Sequence, residues 1–188
     1  MKKTRILFCL ILVAFSKVTS GQVLPSDSAK IAAPFHNSVY LEIMGNGLAA
    51  SLNYERVFRL PKSETWIAAR VGGAWFPAGR EEGYTNYTTL VPVEISIFHG
   101  EKPWKNEAGF GVTFMEEADF NSEKQRPEKQ QNLIPVFRFG RRYADPESPF
   151  MVRWGVLAVI LPDEVQGDFL PQVMPWFGVS LGYGFGRR

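Results

Sequence analysis

Apolar and polar residues alternate with a period of two along most of this chain, in segments of about ten residues closed by Gly, Pro, Asn or charged clusters. That is the pattern of β-strands whose two faces meet different surroundings. Eight such segments occur: SVYLEIMG from Ser38, AASLNYERVF from Ala49, TWIAARVGGAWF from Thr65, TTLVPVEISIF from Thr88, WKNEAGFGVTFM from Trp104, NLIPVFRFGRR from Asn132, FMVRWGVLAVIL from Phe150 and VMPWFGVSLGYGF from Val173. An even number of strands, each about as long as a tilted strand that crosses a bilayer, predicts an all-β fold: an eight-stranded antiparallel up-and-down transmembrane β-barrel.

The connections divide by side. Gly45 to Leu48, Pro77 to Tyr87, Glu116 to Gln131 and Pro162 to Gln172 fall at one end, and Arg59 to Glu64, His99 to Pro103 and Tyr143 to Pro149 at the other. Three of the first four are longer than any of the second set, the asymmetry of outer-membrane barrels with long outward loops and short periplasmic turns. The stretch carrying Glu123, Lys124, Arg126, Glu128 and Lys129 reads as a solvated tip.

Splitting each strand by parity gives one greasy face and one that is charged or small. Val91, Val93, Ile95 and Ile97 oppose Glu94 and Ser96, while Phe177, Val179, Leu181, Tyr183 and Phe185 oppose Gly178, Ser180, Gly182 and Gly184. The polar face collects Glu42, Glu55, Arg70, Glu94, Glu107, Arg138 and Arg153. An arginine facing lipid at the bilayer midplane costs about 2–4 kcal/mol, so these seven are expected inside, as a structural salt-bridge network that fills the barrel and leaves no open channel. Gly72, Gly109, Gly111, Gly178 and Gly182, on the same face, would make room for the long side chains. Tyr40, Phe58, Trp66, Trp75, Phe76, Trp104, Phe150, Trp154 and Trp176 near strand ends suggest aromatic girdles at headgroup level.

The N-terminus follows a different rule. Lys2, Lys3 and Arg5 precede an apolar run from Ile6 to Phe15, then Val18, Thr19 and Ser20, which reads as a signal peptide over residues 1–20 cleaved near Ser20. A periplasmic segment, 21–36, and the barrel, 37–188, would follow. The run is too short to span a bilayer, which takes about 20 residues. Removing Lys2, Lys3, Arg5 and Lys17 from the 21 basic residues leaves 17 against 19 acidic ones, so the mature chain is slightly acidic and its apparent basicity belongs to the leader. The single cysteine, Cys9, also lies in the leader, which removes disulfides from the expected fold. No basic patch interleaved with aromatics points to nucleic acid.

Chemistry is sparse. His36 and His99 are the two histidines, and neither has a serine arranged as in a hydrolase, although His99 stands near Glu101. No cofactor or metal is expected; Glu81, Glu82, Glu116, Glu117 and Asp119 read as solvated acidic loops rather than a calcium site.

The segments NSVYLEIMGNGLAASLNYERVF, LVPVEISIFHGEKPWKNEAGFGVTF, LIPVFRFGRRY and FMVRWGVLAVIL resemble small bacterial outer-membrane β-barrel proteins of the porin-family type, over roughly residues 37 to 186. The resemblance implies a fold and an outer-membrane location and brings no catalytic motif. It also implies membrane lipid and the barrel-assembly machinery as partners. That machinery reads the last strand in such proteins, and here Tyr183 and Phe185 lie inward of Gly186, Arg187 and Arg188 rather than at the end. The expected role is a non-enzymatic structural, adhesive or interaction barrel. A narrow porin, a soluble lipocalin-like carrier with its apolar face inward, and a membrane-embedded lipid hydrolase stand as alternatives.

Overall fold

The computed structural model describes residues 35–60, 63–100, 102–161 and 172–186. The expected leader over residues 1–20, the expected cleavage site, most of the 21–36 segment and the Pro162 to Pro171 part of the last loop lie outside the described residues. Eight strands form one closed antiparallel barrel in chain order: β1 (Asn37–Met44), β2 (Ala50–Arg59), β3 (Thr65–Glu81), β4 (Tyr84–His99), β5 (Trp104–Asn121), β6 (Arg126–Ala144), β7 (Phe150–Leu161) and β8 (Gln172–Phe185). Closure is made by β1 on β8, with Asn37 opposite Phe185 and Met44 opposite Gly178.

Parity orients every strand. Register aligns Glu42 with Ser51 and Ser180, Glu55 with Arg70, and Arg70 with Glu94, so the polar residues of neighbouring strands meet on one face. That face points inward: Glu42, Arg138, Arg153 and Ser180 have no exposed surface. The apolar face points outward, and Leu52, Ile95, Leu133, Val156 and Leu181 are each more than 60% exposed. The orientation is the reverse of a lipocalin-like carrier.

The outward loops are shorter than the sequence pattern suggests. β3 and β4 continue through the stretch Pro77 to Tyr87 and turn at Glu82 and Gly83, which have φ of 45° and 84°, the positive pair of a tight hairpin. β5 and β6 continue through most of Glu116 to Gln131, and Asn121 Oδ1 accepts the amides of Glu123 and Lys124, both at 3.0 Å, to close the turn. These extensions carry polar residues on both faces, so no hydrophobic alternation betrays them; the backbone ladder holds them.

β3 to β6 therefore rise as a four-stranded wall. They are 16 to 19 residues long, and the excess over about ten residues corresponds to roughly 20–30 Å of strand. Among the described residues, β3 beyond Gly73 pairs with nothing on its β2 side, and β6 before Val136 pairs with nothing on its β7 side. Such edges invite pairing with other chains. Here Pro77 with a bulge to Gly79 interrupts one, and Pro127 and Pro135 interrupt the other.

Candidate functional site

The inner wall carries a continuous ladder of charge. At the end that carries the β2–β3 and β4–β5 turns, Arg142 grips Glu55 through both terminal nitrogens, at 2.5 and 2.7 Å, and reaches Glu107 at 2.9 Å. Arg153 joins Glu107, at 2.9 Å, to Glu94. Arg70 and Arg138 then both bridge Glu94, at 2.6 and 3.2 Å, to Glu42, at 3.2 and 2.5 Å. Four carboxylates face four guanidinium groups, so the set is neutral, and each carboxylate has at least one bridging arginine. Tyr40 lies among them, its hydroxyl accepting from Arg70 at 3.0 Å and Arg153 at 3.3 Å. Desolvating such ions costs several kcal/mol each, which close pairing offsets and removal of one partner exposes.

All seven residues singled out by parity lie on this inner face. Four further members lie outside these seven, although parity already places one of them, Ser180, on the polar face. Arg142 was hidden by Arg141, because side by side they read as one basic pair; alternation from Arg138 sends Arg142 inward and Arg141 out. Tyr40, Ser180 and Asn46 complete the set, with Ser180 Oγ donating to Glu42 at 3.1 Å.

Asn46 belongs to the one connection that departs most from expectation. Gly45 to Leu48, read as an outward loop, instead folds into the barrel as a short 3₁₀ turn, and Gly45, Asn46 and Gly47 are buried. Asn46 donates through Nδ2 to Glu94 at 2.8 Å and through its amide to Glu42 at 3.1 Å. Its Oδ1 accepts from Arg138 at 3.1 Å, and its carbonyl accepts from Thr113 at 2.8 Å. Small residues opposite admit it. A Cβ on Gly178 would lie 2.6 Å from Gly45 Cα, and one on Gly111 would lie 2.9 Å from Asn46 Nδ2. The chain reaches inward through Met44 and Leu48, both at φ 60°, a region that non-glycine residues occupy at a cost of about 1–3 kcal/mol; four hydrogen bonds from one asparagine hold it there.

Apolar layers cap both ends of the ladder. Below, Val57, Trp66, Ala68 and Phe98 pack together, Trp66 stacking on Phe98 at 5.6 Å with Lys105 Nζ 4.6 Å over its ring. Above, Ile134, Val136, Leu157 and Val159 are buried against Met115, Leu161, Met174 and Trp176. Two residues assigned to the girdles thus lie inside: Tyr40 and Trp66 are each 1% exposed. Their even numbering matches Glu42 and Arg70, and proximity to a strand end had outweighed parity. Phe76 and Trp176 share the inward parity, whereas Trp75, Trp104, Phe150 and Trp154 are exposed on the outer face.

A cavity of about 20 Å³ between Phe35, Glu55, Phe98 and Arg142 is too small for a solute. His99 Nδ1 pairs with Thr65 Oγ1 at 3.0 Å, not with a serine. Glu101 lies outside the described residues. Among the described residues, no group of three or more His, Cys, Asp or Glu is placed to hold a metal ion.

Solved barrels share this outline. The N-terminal β-barrel domain of Pseudomonas aeruginosa OprF aligns over 81% of this chain and 100% of its own, with 12% identity and a TM-score of 0.49. Neisserial surface protein A aligns over 79% of this chain and 93% of its own, with 10% identity and a TM-score of 0.45. No protein-family model and no curated protein matches the chain.

On the raised wall, Lys129 reaches Glu116 at 2.6 Å and lies 5.7 Å over the Tyr87 ring. The hydrogen bond from Lys129, with another from Gln131, holds the Glu116 carboxyl below its ordinary value, and the Glu116 partner raises Lys129.

Proposed function

We propose that the protein is an integral outer-membrane barrel of structural, adhesive or interaction type, without catalytic activity and with an interior sealed to solutes. One observation carries the membrane reading: the twenty-one exposed large apolar side chains among the described residues all stand on the outward face, from Val39 on β1 to Phe185 on β8. Soluble monomers seldom show contiguous apolar patches beyond a few hundred Å²; a hydrocarbon surrounding turns that belt into the favourable arrangement. Trp104, Tyr143, Phe150, Trp154 and Tyr183 fall toward the periplasmic ends of their strands, where indole and phenol rings suit the headgroup region. The charge ladder, the inward turn and the two apolar layers support a closed lumen with a structural role. The wall of β3 to β6 is the surface left for a partner outside, while membrane lipid and, during insertion, the assembly machinery acting on β8 are the remaining partners.

Migration of detergent-extracted protein on gels, with and without boiling, tests this. A mobility shift from an outer-membrane fraction is expected; an unshifted protein that stays soluble without detergent refutes the reading. Discrete steady conductance in planar bilayers would overturn the sealed interior in favour of a narrow porin.

A further inference from the structure

Two arginines face outward from the barrel strands, Arg56 and Arg141; both rest over an aromatic ring, and they differ in the residues the register places beside them. Arg56 lies 5.8 Å over Phe58 on β2, next to Asn37 and Ala69 in the register. Arg141 on β6 is exposed, rests 5.7 Å over Trp104, and has no carboxylate within salt-bridge distance among the described residues. Its neighbour Arg142, one residue on and inside, is saturated by Glu55 and Glu107. A bare guanidinium on an otherwise apolar wall calls for an anion.

The register supplies the rest of a site. Across β3 to β7 one row on the outer face reads Thr65, His99, Asn106, Arg141, Trp154. The next outward row, two residues along each strand and roughly 7 Å away, reads Ile67, Ile97, Ala108, Phe139, Val156. Because Ala108 is short between Ile97 and Phe139, this upper row is hollowed: a surface groove of about 320 Å³ is lined by Ile67, Ile95, Ile97, Ala108, Phe110 and Phe139. Apolar groove and polar row are thus continuous, with the polar end toward the periplasm.

We propose that this is a binding site for one glycerophospholipid of the periplasmic leaflet, with an acyl chain in the groove and the phosphate on Arg141. The planar guanidinium matches a phosphate through two parallel hydrogen bonds. Asn106 contributes an amide beside it, and His99, its Nδ1 engaged by Thr65, offers its second ring nitrogen. Trp104 and Trp154 flank the headgroup at the level indoles prefer. Charge complementarity selects the occupant: a second copy of this chain would need an exposed acidic group at membrane depth to meet Arg141, and among the described residues neither the Thr65-to-Trp154 row nor the Ile67-to-Val156 row carries one.

The site rests on the membrane reading, and one experiment separates the two. The full chain is extracted in detergent, its heat-dependent gel shift is recorded, and native mass spectra are taken while palmitoyl-oleoyl phosphatidylglycerol is added. The expected result is a single retained phospholipid per barrel. Arg141→Gln weakens retention at least tenfold, Arg141→Lys recovers part of it, Ala108→Phe weakens it by filling the groove, and Arg56→Gln leaves it unchanged. These positions face outward, so each variant keeps the gel shift. Equal retention by Arg141→Gln and Arg56→Gln, with the shift intact, overturns the site alone; dimers that disappear in Ala108→Phe also overturn it, by assigning the groove to a second copy. A wild-type chain without a gel shift overturns the membrane reading, and the site with it.

Discussion

Glu94 is the residue whose replacement tests the charge ladder most directly. Its two oxygens accept from Arg70, Arg138, Arg153 and Asn46, and it is 2% exposed. Glu94→Gln keeps the shape and deletes one negative charge, leaving four guanidinium groups to three carboxylates inside. Breaking a buried pair by removing one partner costs about 3–5 kcal/mol; with three arginines on this one carboxylate, the upper part of that range is expected. Removing Arg153 as well restores charge balance, and Arg153→Met has the length to fill the space, so Glu94→Gln with Arg153→Met is expected to recover at least half the loss. Glu116→Gln on the wall, where Lys129 is half exposed, serves as the comparison and costs about 0–1 kcal/mol. Urea titration of barrels folded into lipid vesicles, followed by tryptophan fluorescence, reads all four proteins. A Glu94→Gln barrel within about 1 kcal/mol of wild type, or a double variant no better than the single one, would refute the claim that the interior depends on its charge balance.

Other outcomes are equally specific. Gly178→Val drives a side chain into Gly45, so it should expel the inward turn and cost about 1–3 kcal/mol, seen as a lowered unfolding midpoint and new hydrogen exchange at the Asn46 amide. Asn46→Ala removes the two side-chain bonds of the turn, to Glu94 and from Arg138, and leaves the two backbone ones; increased proteolysis between Met44 and Leu48 is expected with the gel shift preserved, and unchanged resistance would contradict this reading of the turn. The Glu116 carboxyl should titrate below 4.5. Because its folded value lies below its unfolded one, the Lys129 contact stabilises the wall at neutral pH and is lost as pH falls through that folded value, which carbon-detected NMR titration can follow; a midpoint above 4.5 contradicts it.

Legibility in the sequence followed the surroundings of each strand. Where one face is apolar and the other lines a charged lumen, as in Leu90 to Phe98, the alternation reads strand and face together. Where both faces carry polar residues, as in Glu116 to Asn121 and Arg126 to Gln131, composition resembles a loop and only the backbone ladder reveals the strand. Arg141 and Arg142 show the same rule at single-residue scale: adjacency suggests one patch, yet alternation sends one to the outer wall and the other to the lumen. The inward turn had no such signal. Gly45, Asn46 and Gly47 are ordinary turn residues, and what draws them in is a set of partners, Glu42, Glu94, Thr113 and Arg138, brought together only by closure.

The contacts of the ladder also span long stretches of sequence. Arg138 meets Glu42 across 96 residues, and Arg153 meets Tyr40 across 113. A chain halfway through assembly, with β1 to β4 formed, would hold Glu42, Glu55, Arg70 and Glu94 without Arg138, Arg142 or Arg153. It would carry three negative charges against one positive charge, with no lumen to enclose them. Partial barrels are therefore electrically unbalanced as well as open-edged, and only the arrival of β6 and β7 brings the sum to zero. The interior charges of the ladder therefore balance only once all of β1 to β7 are in place.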